Sequence, residues 1–214
     1  MKNKKFKFYE SYPENILTQI FVSKKKPHTY ISEKFKQKKA LDLGCGNGRN
    51  IHLLKSLGFK TYGLEIKNYM VKKLKKNISK TIFKVGTSDN IPFKNNFFNY
   101  IIAYNSIYYL SGINKKFADN FIEIDRVLKV NGYIIFTEIG EKHYVRKKLK
   151  KINHNVYQLK NLELPNYNML ICKKIEFKLF QNNYKLIHKI ERLVKEKKIY
   201  KHIIFYIYRK IHSR

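Results

Sequence analysis

The stretch Leu41-Asp42-Leu43-Gly44-Cys45-Gly46-Asn47-Gly48 narrows the possible folds more than any other part of this chain. Ala40–Leu43 is short and apolar, as a buried strand is, and glycines at alternate positions follow at once. Glycine adopts backbone conformations closed to other residues. The chain can therefore turn tightly here and offer main-chain N–H groups to a ligand. From Arg49 to Leu57 the residues Ile51, Leu53, Leu54 and Leu57 share one helical face, and Gly58 supplies a stop. A strand, a glycine turn and a helix in that order begin a βαβ unit.

The alternation continues. Thr61–Leu64 reads as a strand, and Asn68–Ile78 as an amphipathic helix with Met70, Val71, Leu74 and Ile78 inward. Ile82–Val85 and Tyr100–Tyr104 read as further strands, the second apolar on both faces. Phe117–Leu128 is a helix stopped at Asn131-Gly132, and Tyr133–Thr137 a fifth strand. This predicts an α/β fold with a parallel sheet across residues 39–140, preceded by an N-terminal segment, 1–38, in which 10–35 read as short helices and a loop. Beyond Gly140 the alternation breaks. Residues 141–180 read as a basic, loop-like lid or substrate region. Lys185–Val194 and His202–Tyr208, within 181–214, are expected to pair antiparallel at the sheet edge. All four segments belong to a single expected domain, 1–214.

The chain has 214 residues and a formal net charge of +31. Residues 142–214 carry 20 basic and 4 acidic side chains, and six of those cations fall within Lys142–Lys151. Such charge points to nucleic acid or another polyanion. Lysine, however, far outnumbers arginine, and Asn, Ile, Tyr and Phe are abundant too. AT-rich codons produce that pattern with no anionic partner, so both explanations stand. No apolar run is long enough to span a membrane, and the basic N-terminus lacks the apolar stretch of a secretory signal. A cytoplasmic protein without an integral membrane segment is expected. Two cysteines, Cys45 and Cys172, make neither a disulfide framework nor a zinc site, and no acidic or histidine cluster suggests a metal.

Three features sharpen the glycine turn. Its spacing is Gly-x-Gly-x-Gly, not the Gly-x-Gly-x-x-Gly of nicotinamide-binding folds. Asp42, inside the strand, suits a ligand carrying an ammonium group and repels a pyrophosphate. Glu65 ends the second strand, where a carboxylate can accept both hydroxyls of a ribose. Further along stand Gly63-Leu64-Glu65-Ile66, Ile91-Pro92-Phe93 with Asn96-Phe97-Phe98, and Glu123-Ile124-Asp125-Arg126-Val127-Leu128-Lys129 leading to Gly132. With these segments in this order, residues 38–139 resemble the class I S-adenosylmethionine-dependent methyltransferases. Gly44–Asn50 with Gly58-Phe59 resembles the small-molecule, tellurite-resistance-like branch.

The resemblance implies a Rossmann-like, doubly wound, mostly parallel seven-stranded sheet and S-adenosyl-L-methionine as cofactor. It implies that Gly44, Cys45, Gly46 and Gly48 pack against the methionine part, with Asp42 organising the turn and the ammonium end. Glu65 would hold the ribose and Ile66 would lie beside the adenine. Thr87 and Ser88 occupy the slot where relatives often carry an acidic residue for the adenine amino group, and Asp89 lies nearby. Asn105 would lie near the methionine part and the acceptor mouth. The N-terminal segment, with Tyr9 and Tyr12, would cover the cofactor. Asn99 stands where the family carries aspartate, and Val130-Asn131 where it carries Pro-Gly.

Methyl transfer from a sulfonium is an in-line displacement, so a base is needed only when the acceptor must lose a proton. Tyr9, Tyr12, Tyr108, Tyr109 and His143 are candidates for that role, and each has a plain packing or surface alternative. His52 is expected to face outward, and Cys45 to be a small packing residue. There is no Asn-Pro-Pro-Tyr or Asp-Pro-Pro-Tyr tetrapeptide and no Pro-Cys dipeptide, which argues against the corresponding base methylations. Tyr30–Lys34 and Tyr69–Lys73 have a dehydrogenase-like spacing, but the glycine pattern disagrees. The first expectation is therefore a small-molecule methyltransferase. The second is an RNA- or polyanion-directed methyltransferase, and the third a non-catalytic binding protein on the same scaffold.

Overall fold

A computed structural model describes residues 15–23, 31, 34–160 and 168–213. The parallel core is built from β1 (Lys39–Leu43), β2 (Lys60–Glu65), β3 (Thr81–Val85), β4 (Phe98–Ala103) and β6 (Leu128–Ile139). Two long strands, β10 (Tyr184–Glu196) and β11 (Ile199–Lys210), complete a seven-stranded sheet in the order β10-β11-β6-β4-β1-β2-β3. β11 runs antiparallel to β6, with Ile203 opposite Ile139 and Arg209 opposite Tyr133. The α/β sheet with an antiparallel C-terminal edge pair is as expected. The strand and helix boundaries of the core also agree to within a few residues, β6 excepted, which begins at Leu128.

Alternation of side chains across the strands divides the core in two. Ala40, Tyr100, Ile102, Ile135 and Phe205 face α1 (Asn15–Val22) and α2 (Arg49–Ser56), where Ile16, Ile20, Phe21, Leu53 and Leu54 close over them. Leu41, Leu43, Ile101, Ile134 and Phe136 face the other side, under Phe117, Phe121 and Ile124 of α4 (Phe117–Val127). On α3 (Asn68–Asn77), Val71 and Leu74 bury with Ile51, Ile78 and Phe83 in a third cluster, and Met70 packs against it. The helix stop expected at Asn131-Gly132 is not used: α4 ends at Val127 with an extended Leu128 as its cap, and Asn131, at φ 65°, lies inside β6.

One departure from the sequence reading shapes the functional end. The region 141–180 is not simply loop-like. β7 (Leu149–Lys151), β8 (Val156–Lys160) and β9 (Asn168–Cys172) join β5 (Tyr109–Leu110) in a four-stranded antiparallel sheet, ordered β5-β9-β8-β7. We call it the cap sheet. It packs through Val156, Ile171 and Cys172 on the same cluster as α4. Its strands are short and rich in lysine, and one of them lies nearly sixty residues upstream, so no local period betrays it. The β3–β4 connection carries no helix, and the sequence reading places none there. It is instead held by Arg126, which donates to the carbonyl oxygens of Ile91 and Phe93 at 2.8 Å and pairs with Glu123 at 2.6 Å. Glu123 in turn accepts from the Ile91 N–H at 2.8 Å. The Glu123–Arg126 pair thus clamps Ile91-Pro92-Phe93, a function the sequence pattern marks without explaining.

Candidate cofactor and acceptor site

All five parallel strands end on one edge, and the glycine turn leaves β1 there. Gly44, Gly46 and Gly48 all have positive φ, at 70°, 54° and 81°, where side chains with a Cβ are strained. Their surroundings differ. A Cβ on Gly44 would lie 2.7 Å from the Cβ of Ser106, and one on Gly48 would lie 2.6 Å from Ile78 on the far end of α3. A Cβ on Gly46 would meet nothing within 4 Å. Gly44 is therefore required by the exit of β4 and Gly48 by helix packing. Only Gly46 turns its bare backbone to open space.

Three groups converge on this turn. Glu65 folds back on it, its Oε2 accepting the Gly46 N–H at 3.1 Å and its Oε1 the Ile66 N–H at 3.0 Å. A carboxylate has lone pairs to spare beyond these bonds. Ile66 itself is exposed. Ser106 donates its hydroxyl to the Leu43 carbonyl, fastening the exit of β4 to the exit of β1. Asn105 is held at φ 52°. The Thr137 hydroxyl accepts its N–H at 2.7 Å and donates to its Oδ1 at 3.0 Å.

Asp42 is fully enclosed between β1 and the start of α2. Burial pushes its carboxyl up to about 7, against the pull of the Asn50 amide and the Arg49 guanidinium. Its Oδ2 has no hydrogen-bond partner among the described residues. A buried, unsatisfied carboxylate oxygen is costly and wants a cationic or N–H donor. An ammonium-bearing ligand on the turn fits that requirement. So does the open face of Gly46, which leaves room for the ligand's body.

At the turn expected to face the adenine, the acidic group is Asp89. Thr87 pairs its backbone with Asn90 in a tight turn, and Ser88 lies within it. Asp89 accepts from Ser111 at 2.7 Å and pairs with Lys115 at 2.9 Å. Burial alone would raise its carboxyl, but Lys115, Thr87 and Ser111 outweigh burial and hold it at about 2.

Cys45 is a buried packing residue. Its Sγ would lie 2.9 Å from a Cβ on Gly63, so Gly63 makes room for it, and burial pushes its thiol well up. Tyr108 is buried and Tyr109, in β5 of the cap sheet, is half-buried, and burial likewise raises the Tyr108 phenol. His143 uses its Nδ1 to accept the Val145 N–H at 3.2 Å, and burial lowers its pKa to about 4. It is thus neutral at physiological pH, with one ring nitrogen already engaged. His52 is exposed, as expected. Tyr9 and Tyr12 lie outside the described residues.

One functional candidate escapes sequence reasoning altogether. Glu138, near the end of β6, points under the cap sheet, where its Oε2 accepts from the Tyr206 hydroxyl at 3.1 Å. Burial raises its carboxyl above the ordinary range. Nothing in a lone Glu-Ile-Gly marks it. Glu138 lines a narrow gap with Tyr108, Arg146 and Cys172. A separate cavity of about 280 Å³, between the cap sheet and the start of α4, is lined by Leu110, Phe117, Tyr157, Lys116, Lys173 and Lys174, among others.

Residues 41–136 match a family model described as a methyltransferase domain. Among curated proteins, none matches the sequence. Solved structures do match. An S-adenosylmethionine-dependent methyltransferase from Methanosarcina mazei is 17% identical with a TM-score of 0.67, covering 87% of this chain and 97% of its own. One from Mesorhizobium loti is 12% identical with a TM-score of 0.65, covering 84% and 94%. A protein from Pyrococcus horikoshii is 21% identical with a TM-score of 0.59, covering 82% of both chains. Likeness at such identities is likeness of fold. It coincides with the family match across the glycine turn, so residues 41–136, a little under half of the chain, resemble a methyltransferase domain in both sequence and fold.

Proposed function

We propose that this chain is an S-adenosylmethionine-dependent methyltransferase that acts on a small-molecule acceptor seated beneath the cap sheet. The observation that carries this reading is the cap itself, which roofs the acceptor side and leaves a void of about 280 Å³. A void of that size suits a small molecule and is closed to a folded polymer.

When bound, S-adenosylmethionine supplies an electrophilic methyl group on sulfur. The chain's own residues do the rest. Gly46 gives close backbone approach, and Asp42 and Glu65 fix the ligand's ammonium and ribose ends. Asp89, rather than Thr87, is the acid available to the adenine amino group. Asn105, pinned by Thr137, lines the passage toward the acceptor. Alignment and exclusion of water are the main catalytic tasks in such a displacement. Where the acceptor must lose a proton, Glu138, whose raised pKa brings it toward working pH, is the candidate base beneath the cap sheet, though it lines a gap separate from the larger void.

Calorimetric titration with S-adenosylmethionine and S-adenosylhomocysteine tests the cofactor half. Glu65→Ala should weaken binding by about 1–3 kcal/mol. Incubation with methyl-labelled cofactor and fractionated cell extract tests the acceptor half. Label recovered in low-molecular-mass material supports the reading, and label confined to RNA or protein overturns it.

A further inference from the structure

β10 and β11 outrun the sheet they belong to. β11 pairs with β6 from Arg209 back to Ile203, and the last bond between them joins the Gly140 N–H to the His202 carbonyl at 2.8 Å. Beyond that point the two strands pair only with each other. Val194 lies opposite Lys201, Lys195 opposite Tyr200 and Glu196 opposite Ile199, and Lys197 turns the chain at φ 54°. Every residue from Leu193 to Lys201 is exposed. The base of this arm is fixed by His202, buried against Gly140. Its Nδ1 accepts the Lys142 N–H at 3.2 Å and its Nε2 lies 2.7 Å from Glu191.

The arm's chemistry is unusual for a surface left in water. Leu193, Val194, Ile199 and Tyr200 are 47%, 45%, 44% and 40% exposed. They alternate with Arg192, Lys195, Lys197, Lys198 and Lys201, and Glu196 is the one acid among them. A two-stranded ribbon is marginally stable alone, and exposed apolar side chains on it invite association. The stretch 142–151, with six more cations, leaves β6 beside the arm's base.

We propose that this arm, with the neighbouring 142–151 stretch, is a docking surface for an anionic lipid bilayer. Cations are drawn to the negative surface potential, and aliphatic side chains enter the boundary between headgroups and chains. Tyr200 suits the headgroup level. Leu193, Val194 and Ile199 lack the flat ring that a single-stranded nucleic acid stacks upon, which favours lipid over RNA. The density of like charge opposes a second copy of the same arm. Among the described residues no helix is long and apolar enough to cross a membrane, so this attachment is peripheral.

The placement carries the inference into the reaction, and here it rests on the function proposed above. β11, β6, β4 and β1 are successive neighbours, so the arm leaves the glycine-turn edge about 14 Å to one side of β1. Docking would set the acceptor mouth against the bilayer, and the acceptor would be an amphiphile resident in it.

The test is co-sedimentation of the full chain with phosphatidylglycerol–phosphatidylcholine vesicles and with phosphatidylcholine vesicles alone. Binding to the anionic vesicles only is expected. Lys197→Glu/Lys198→Glu should weaken it by at least about tenfold, and Leu193→Ser/Ile199→Ser clearly, while Lys72→Glu/Lys75→Glu on α3 should change it little. Thermal melts and S-adenosylhomocysteine titration of each variant should match the parent, which separates failure of docking from failure of the methyltransferase reading. Equal losses in the arm and α3 charge variants would overturn the proposal in favour of undirected charge. Binding to poly(U) that depends on the lysines but not on Leu193 and Ile199 would overturn it in favour of RNA. Dimerisation abolished by the serine variant, without vesicle binding, would overturn it in favour of self-association.

Discussion

The Lys210 ammonium lies 3.0 Å from the Asp125 carboxylate, with both side chains buried. The Tyr184 hydroxyl donates to the same Asp125 oxygen at 2.7 Å, and Lys210 also donates to the main-chain oxygens of Asp125 and Leu128. β10, β11 and the end of α4 thus meet at one charge pair. Removing one member of such a pair strands the other in a dry site. Lys210→Met should lower stability by about 3–5 kcal/mol. Asp125→Asn combined with Lys210→Met should recover much of the loss. Urea unfolding of the three proteins checks this, and a double variant as weak as the single would refute the coupling.

Gly44 and Gly46 should behave differently when given a Cβ. Both suffer the left-handed penalty of about 1–2 kcal/mol. Gly44→Ala adds a collision with Ser106, which Ser106→Gly should relieve in the double variant. Gly46→Ala adds no collision, so its stability should fall less while its cofactor affinity falls more. Parallel thermal melts and calorimetric titrations separate the two, and equal affinity losses would place the ligand elsewhere.

Asp42 should couple cofactor binding to pH. Its carboxyl sits at about 7 in the fold against 3.8 ordinarily. Between those values the folded protein holds a proton that the unfolded chain has released. Stability from this group therefore declines as pH rises through that window. Asp42→Asn should flatten the decline. An ammonium-bearing ligand favours the ionised carboxylate, so binding at about pH 6 should expel a proton. Titrations in two buffers of different ionisation heat would reveal it, and buffer-independent enthalpies would contradict it.

Asn99 shows what a departure from a family pattern can mean. Its Oδ1 accepts the Lys39 N–H at 3.0 Å, at the first residue of β1. The position needs an acceptor and not a charge. Asn99→Asp should change stability by less than about 0.5 kcal/mol, and Asn99→Leu should cost about 1–3 kcal/mol for an unpaired N–H. Chemical denaturation distinguishes the two, and a large effect of aspartate would reverse the argument.

The legible parts of this chain were those with a local period or a forced turn. β1, the glycine run and α2 are written in eighteen consecutive residues, whereas the Asn131-Gly132 pair reads as a helix stop but falls inside β6. The cap sheet was illegible because its strands owe their pairing to distant partners, Tyr109 to Ile171 and Val156 to Cys172. Within the turn the three glycines look alike in sequence. Their separate duties come from Ser106 and Ile78, neither of which is nearby in the chain. Glu138 and Asp89 likewise gain their character from burial and from Tyr206 and Lys115, which no spacing announces. The clustered charge of 142–151 was plain to read, but only the pairing of His202 with Lys142 places it beside the arm.

β5 belongs by sequence to the exit of β4 and by pairing to the cap, through Tyr109 opposite Ile171 and Leu110 opposite Leu170. Three residues before it, Ser106 fills the space beside Gly44 and bonds the end of β1. One short segment therefore serves both the roof over the acceptor and the wall of the cofactor turn. A ligand that stiffened the turn would steady the roof, and by thermodynamic reciprocity a ligand under the roof would tighten the turn by the same free energy. A cofactor and an acceptor so placed would be each other's effectors, coupled through a strand two residues long.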